Sequence, residues 1–108
     1  MSAESDAPDS VMVDVADLAP GQMKLVECGR RKALLCNVAG EFYAVAERCT
    51  HAAYSLREGR LQGARLECPL HGALFDVRDG SPLRRPASKP LATHPVHLDG
   101  CRAEIRFE

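Results

Sequence analysis

Tryptophan is absent from this 108-residue chain, and tyrosine and phenylalanine bring the aromatic share only to 5%. With a formal net charge of −1, such a chain has neither the stacking platforms nor the basic excess that nucleic-acid binding needs. Long apolar runs are missing too, and none approaches the roughly 20 residues that span a bilayer. The opening MSAESDAPDS lacks both a basic start and an apolar stretch, so it reads as neither a secretory signal nor a transit peptide. The expectation is a soluble cytoplasmic protein with no membrane and no nucleic-acid partner.

No long segment carries a helical period, no repeat recurs and no linker stands out. What is present instead is punctuation: eight glycines and seven prolines break the chain into short apolar stretches, as in turn-rich β proteins. Gln22 to Glu27 and Lys32 to Val38 flank Cys28-Gly29-Arg30-Arg31, a predicted hairpin, and Ala39-Gly40 then reverses the chain into Glu41 to Ala46. Leu61 to Glu67 and Ala73 to Val77 read as strands. Pro82, Pro86 and Pro90 stiffen the stretch from Ser81 to Pro90, and Leu91 to Leu98 with Arg102 to Phe107 make a last hairpin around Asp99-Gly100. Eight to ten short strands in one domain predict an all-β protein, an antiparallel sandwich or barrel.

Five cysteines is an odd number, which fits thiols in a reducing compartment better than a disulfide framework. Cys36 lies in the apolar run Ala33-Leu34-Leu35-Cys36-Asn37-Val38 and reads as core. Cys28 and Cys101 sit at turns and receive no role. The remaining two belong to a pattern: Cys49-Thr50-His51, then Cys68-Pro69-Leu70-His71. Two thiolates and two imidazoles form the ligand set of a Rieske [2Fe-2S] centre, with the sulfurs on one iron and the nitrogens on the other. A structural zinc site also takes Cys₂His₂, but its ligands usually come in pairs of one type, whereas each loop here mixes both. Thiolate softness suits iron and sulfide, and neutral imidazoles leave the site less negative than four thiolates would.

At these residues the chain resembles the Rieske family, and the likeness extends through Gly72, Phe75-Asp76, Gly80 and Pro86 to Leu91. The resemblance implies one [2Fe-2S] cluster per chain held by Cys49, His51, Cys68 and His71, the cysteines on the inner iron and the histidines on the outer. It implies a β-sandwich-like Rieske domain over residues 11–108, a cluster-binding subdomain at about residues 47–75 under a proline loop, and a flexible acidic N-terminus over residues 1–10. Membrane-bound relatives carry an extra cysteine in each loop and hydroxyl side chains near the cluster. Here Tyr54, Leu70, Ala73 and Phe75 stand at those positions, so the better likeness is to low-potential ferredoxins.

Cys-Thr-His-Ala-Ala-Tyr-Ser-Leu, residues 49 to 56, is most similar to the ferredoxin component of bacterial aromatic-ring-hydroxylating dioxygenases. That likeness implies a monomeric one-electron carrier, not an enzyme. It would take electrons from a flavin-dependent reductase and pass them to a terminal oxygenase. The small electron-transfer subunit of NADH-dependent nitrite reductase is the alternative, and a zinc-stabilised interaction module a third. His94 and His97, three apart on a predicted strand, point to opposite faces and make no facial triad with a carboxylate. The proline loop shields the cluster in the family. Arg48, Arg57, Arg60, Arg65, Arg84, Arg85 and Lys89 bunch in the cluster-bearing segment, where they could steer an acidic partner.

Overall fold

Turn chemistry sets the first two hairpins of the computed structural model, which describes residues 9–50, 54–69, 72–85, 87 and 89–107. Strand β2 (Met23–Cys28) pairs with β3 (Arg31–Val38) in antiparallel register, Cys28 opposite Arg31. That leaves Gly29-Arg30 as a two-residue loop, and Gly29 has φ +64°, the left-handed first position of a type II′ turn. Between β3 and β4 (Glu41–Ala46) the loop is Ala39-Gly40, with φ of 52° and 94°, the double left-handed signature of type I′. Asn37 supports it from within. Its Oδ1 accepts from the Gly40 N–H at 2.8 Å and its Nδ2 donates to the Leu18 carbonyl at 2.7 Å, so a buried amide is satisfied at both ends.

Eleven strands form three antiparallel sheets among the described residues. The first holds β1 (Ser10–Asp14), β11 (Arg102–Arg106) and β10 (Val96–Asp99); the second runs β2-β3-β4-β9, where β9 is Thr93–His94. The third contains β5 (Arg60–Gln62), β6 (Arg65–Glu67), β7 (Leu74–Asp76) and β8 (Pro82–Arg84) in that order. Strand β3 explains the layering. Ala33 and Leu35 join Val26, Ala44, Ile105 and Phe107 in a core against the first sheet. Leu34 and Cys36 join Val45, Leu56, Leu66 and Phe75 in a second core toward the third sheet. A strand buried on both faces has no polar side to alternate with, hence its unbroken apolar run.

The all-β antiparallel expectation holds, as do both early hairpins and the last one around Asp99-Gly100. Several boundaries need correction. Leu61 to Glu67 is not one strand: the chain reverses at Gly63-Ala64, with Gly63 at φ +59°, and β5 pairs with β6. Leu91 to Leu98 is also divided, because Pro95 separates β9, paired with β4, from β10, paired with β11. His94 and His97 therefore lie on different strands in different sheets, rather than on two faces of one. Pro82 to Arg84 is a strand at the sheet edge, where a proline without an N–H is tolerated. A short 3₁₀ turn, Leu56–Glu58, is capped by the Ser55 hydroxyl accepting from the Arg57 N–H at 3.3 Å; its signal, the S-x-x-E spacing of Ser55 and Glu58, went unread. Among the described residues no helix is long and apolar enough to cross a membrane. Residues 1–8 of the acidic N-terminus lie outside the described residues.

Candidate metal centre

Both cysteines of the motif stand at strand ends, each as the first residue of a short loop. The first loop leaves β4 through an isolated bridge between Arg48 and Ser55. There the Leu56 N–H donates to Glu47 O at 2.7 Å, and the Cys49 N–H reaches Tyr54 O at 3.0 Å. The second loop joins β6 to β7, with Glu67 opposite Leu74 and the Cys68 N–H donating to Ala73 O at 2.7 Å. In each loop the bond runs from the cysteine to the fifth residue after it. The two loops are thus closed alike, although the Cys-to-His intervals of the sequence pairs differ.

Closure of this kind turns the cysteines inward. Cys49 is 5% exposed and Cys68 fully buried, in the core that also holds Leu56, Phe75, Ala87 and Leu91. Thr50 and Pro69, the next residues along, are exposed. Asn37 is the sole buried polar or charged residue among those described, and both cysteines pack within a mainly apolar core. His51 and His71, along with Ala52, Ala53 and Leu70, lie outside the described residues. Two soft sulfur donors on matched loops, each loop with one imidazole in its sequence, fit a two-iron cluster bound by sulfur inside and nitrogen outside.

Cys36 shares that core but differs in kind. Burial pushes its thiol up to about 12, so it stays protonated, and its Sγ lies 3.9 Å from the Leu34 carbonyl of its own strand. It is packing, as its place in an apolar run suggested.

A segment after β8 ties the two loops together. From the first loop, the Thr50 hydroxyl donates to the Lys89 carbonyl at 2.8 Å. From β8, Arg84 donates to the Gly72 carbonyl through Nε at 3.1 Å and Nη2 at 2.9 Å, and Nη2 also reaches Glu67 at 3.1 Å. Ala87, 6% exposed, drops between them into the core with both cysteines. Beyond it the Leu91 N–H donates to Gly80 O at 2.8 Å, while the Gly80 N–H donates to Asp76 O at 2.6 Å. Pro86 and Ser88 of the proline loop lie outside the described residues. The roles of Thr50 and Arg84 in this tie went unread in the sequence, where only Gly72 after the second histidine hinted at a special backbone; it has φ +72°.

The bunched cations are in part engaged with one another's neighbours. Arg84 holds Glu67, Arg48 Nε lies 3.8 Å from Glu47, and the nearby Arg78 is a three-bonded partner of Asp76. That last interaction holds the Asp76 carboxyl below its usual range. His94, half-buried, packs against Phe107 in a tilted contact, with ring centroids 4.9 Å apart and planes at 41°, which makes it a part of the packing between sheets.

Sequence and fold comparisons agree with this geometry. The Rieske [2Fe-2S] domain pattern matches residues 10–95. The ferredoxin component of biphenyl 2,3-dioxygenase from Rhodococcus jostii (strain RHA1) is 48% identical over 84 residues, covering 78% of each chain. The 3-phenylpropionate/cinnamic acid dioxygenase ferredoxin subunit of Escherichia coli (strain K12) is 45% identical over 87 residues, 80% of this chain and 81% of that one. Among solved structures, a chain from the complex of reduced oxygenase and oxidized ferredoxin in carbazole 1,9a-dioxygenase superposes with a TM-score of 0.86 at 33% identity, covering 92% of this chain and 94% of that one. The ferredoxin of carbazole 1,9a-dioxygenase from Nocardioides aromaticivorans IC177 also gives 0.86, at 26% identity over 92% and 98%. Paired inward-facing cysteines on loops of equal closure, carried by this three-sheet scaffold and matched over most of its length, place the chain in the Rieske [2Fe-2S] domain family.

Proposed function

We propose that this chain is the ferredoxin component of an aromatic-ring dioxygenase system, a one-electron carrier between a flavin-dependent reductase and a terminal oxygenase. The observation that carries the reading is the match, over about four fifths of both chains, to subunits named as dioxygenase ferredoxins. Nitrite reduction, the alternative from sequence, has no comparable support. The cluster supplies reversible one-electron chemistry when bound; substrate chemistry belongs to the partner. In this reading the carrier works as a cytoplasmic monomer.

Cys49 and Cys68 would hold the inner iron and His51 and His71 the outer, within a cluster-binding unit of about residues 47–75. Burial of Cys49 and Cys68 and closure of each loop at its base support the assignment of the two sulfurs to the inner iron. Ala87 and Leu91 keep water off the sulfur side, and a drier site disfavours the added negative charge of reduction. Ala73 and Phe75, both fully buried in the same core, offer no side-chain donor to sulfur. Both features put the potential toward the low end of the Rieske range of roughly −150 to +300 mV.

Purified protein should contain two irons and two acid-labile sulfides per chain and absorb in the visible. Cys68→Ser and His71→Ala should lose the cluster, while Cys36→Ser should keep it. Zinc without sulfide would end the ligand assignment. For the wider role, a dioxygenase reductase with NADH should reduce the protein, and the reduced form should support turnover by a terminal dioxygenase. Electron delivery to nitrite reductase alone would overturn it.

A further inference from the structure

We propose that Arg84 is a positioning residue that fixes the second ligand loop from outside, by gripping it at both ends with one guanidinium. The inference rests on the reading of Cys68 and His71 as ligands. The loop enters at Glu67, directly before Cys68, and leaves at Gly72, directly after His71. Arg84 holds both places: Nη2 to the Glu67 carboxylate at 3.1 Å, and Nε and Nη2 to the Gly72 carbonyl at 3.1 and 2.9 Å.

Backbone geometry brings the three groups together. Arg84 sits opposite Leu74 in the β7–β8 pairing, so its side chain starts beside the loop's exit. Gly72 takes φ +72°, a left-handed conformation that glycine adopts without strain. An added Cβ there would lie 3.4 Å from both Arg84 Nη2 and a Glu67 carboxylate oxygen, so the glycine backbone lies against the ion pair. A planar fork with five donors can serve a carboxylate and a carbonyl at once. Lysine, a point charge on a flexible stem, has no such fixed geometry.

Other places in the molecule carry less. The groove between β4 and β9, lined by Tyr43, Arg78 and His94, has its arginine committed to Asp76. The notch beside Arg30, Lys32 and Arg48 is an exposed cationic surface with nothing to define an occupant. Arg84 differs because an exposed side chain, 54% accessible, nonetheless makes three hydrogen bonds to both shoulders of one ligand loop. Pairing with Glu67 also leaves the clamp without net charge, so its effect on the site is geometric.

The test uses the purified holoprotein and follows loss of visible absorbance in excess iron chelator. Arg84→Met should bleach about three- to tenfold faster, the range expected for exposed charge-assisted bonds. The charge-balanced double variant Arg84→Met/Glu67→Gln should bleach as fast, because removing both charges does not restore the grip. Arg84→Lys should fall between, and Arg85→Met, the neighbouring exposed arginine, should match the parent. The electron paramagnetic resonance g-values of the reduced cluster should shift in the Arg84 variants and not in Arg85→Met. Should Arg84→Met fail to accumulate, Arg84→Lys against Arg85→Lys makes the same comparison. Bleaching rates and g-values equal to those of the parent would overturn the proposal, as would a change confined to electron delivery at low salt, which would make Arg84 a docking residue. A parent protein without iron and sulfide would instead overturn the ligand reading itself, and the clamp with it.

Discussion

Gly80→Ala should be severely damaging, because a close backbone contact and a left-handed conformation coincide there. Gly80 is buried with φ +80°, and an added Cβ would fall inside the 3.0 Å limit to the Leu91 carbonyl oxygen, with Leu91 C at 3.1 Å and N at 3.3 Å. All three are backbone atoms, which cannot rotate away. The left-handed conformation alone costs an alanine about 1–2 kcal/mol. Relief of the clash would pull Leu91 from Gly80, breaking the 2.8 Å bond between them, worth about 1 kcal/mol. It would also lift part of a 3% exposed leucine, whose full burial is worth about 1.5–3 kcal/mol. The sum is about 3–4 kcal/mol. Gly63→Ala is the internal control: φ is +59° but nothing lies within 4 Å of its would-be Cβ, so only the conformational term applies. With about 4–8 °C per kcal/mol for a small domain, thermal unfolding of the two holoproteins should differ by roughly 8–16 °C. Equal losses in Tm would refute the idea that the close approach of Gly80 to Leu91 pins the end of the proline loop.

Other outcomes follow from single positions. Ala39, the non-glycine residue with positive φ among those described, sits where a type I′ turn favours asparagine; Ala39→Asn should stabilise by about 0.5–1 kcal/mol in urea denaturation. Phe75→Tyr should raise the midpoint potential if its hydroxyl donates to a cluster or ligand sulfur, by about 40 mV for about 1 kcal/mol of preference for the reduced state; an unchanged potential in a folded variant would count against that hydroxyl. Asp76→Asn should destabilise at pH 7. Its carboxyl is lowered from 3.8, first by the Arg78 hydrogen bond, so the stabilisation is present above that ordinary value and fades as pH falls through the lowered one. The gap between variant and parent urea midpoints should therefore close on acidification, and a constant gap from pH 7 to 3 would show that the charge is not its source.

Residue types and short spacings were enough to point to a Rieske [2Fe-2S] domain, which the family match bears out, because softness and basicity belong to the side chain: Cys49, His51, Cys68 and His71, the proposed ligands, carry theirs in any fold. Turn residues were equally legible. Gly29 and Ala39-Gly40 marked hairpins that formed where expected, since φ preference is local. Strand partition was less so: Leu61 to Glu67 and Leu91 to Leu98 looked continuous because Gly63 and Pro95 break pairing rather than apolar pattern. Only the tertiary structure decided which cysteines share the inner core, since Cys36 converges there from a different strand. It also decided that the two ligand loops are closed by the same hydrogen bond, and that Thr50 meets Lys89 and Arg84 meets Gly72 across 39 and 12 residues of chain. Such contacts have no sequence signature, because they depend on where sheets stack and strands end, not on the residues that make them.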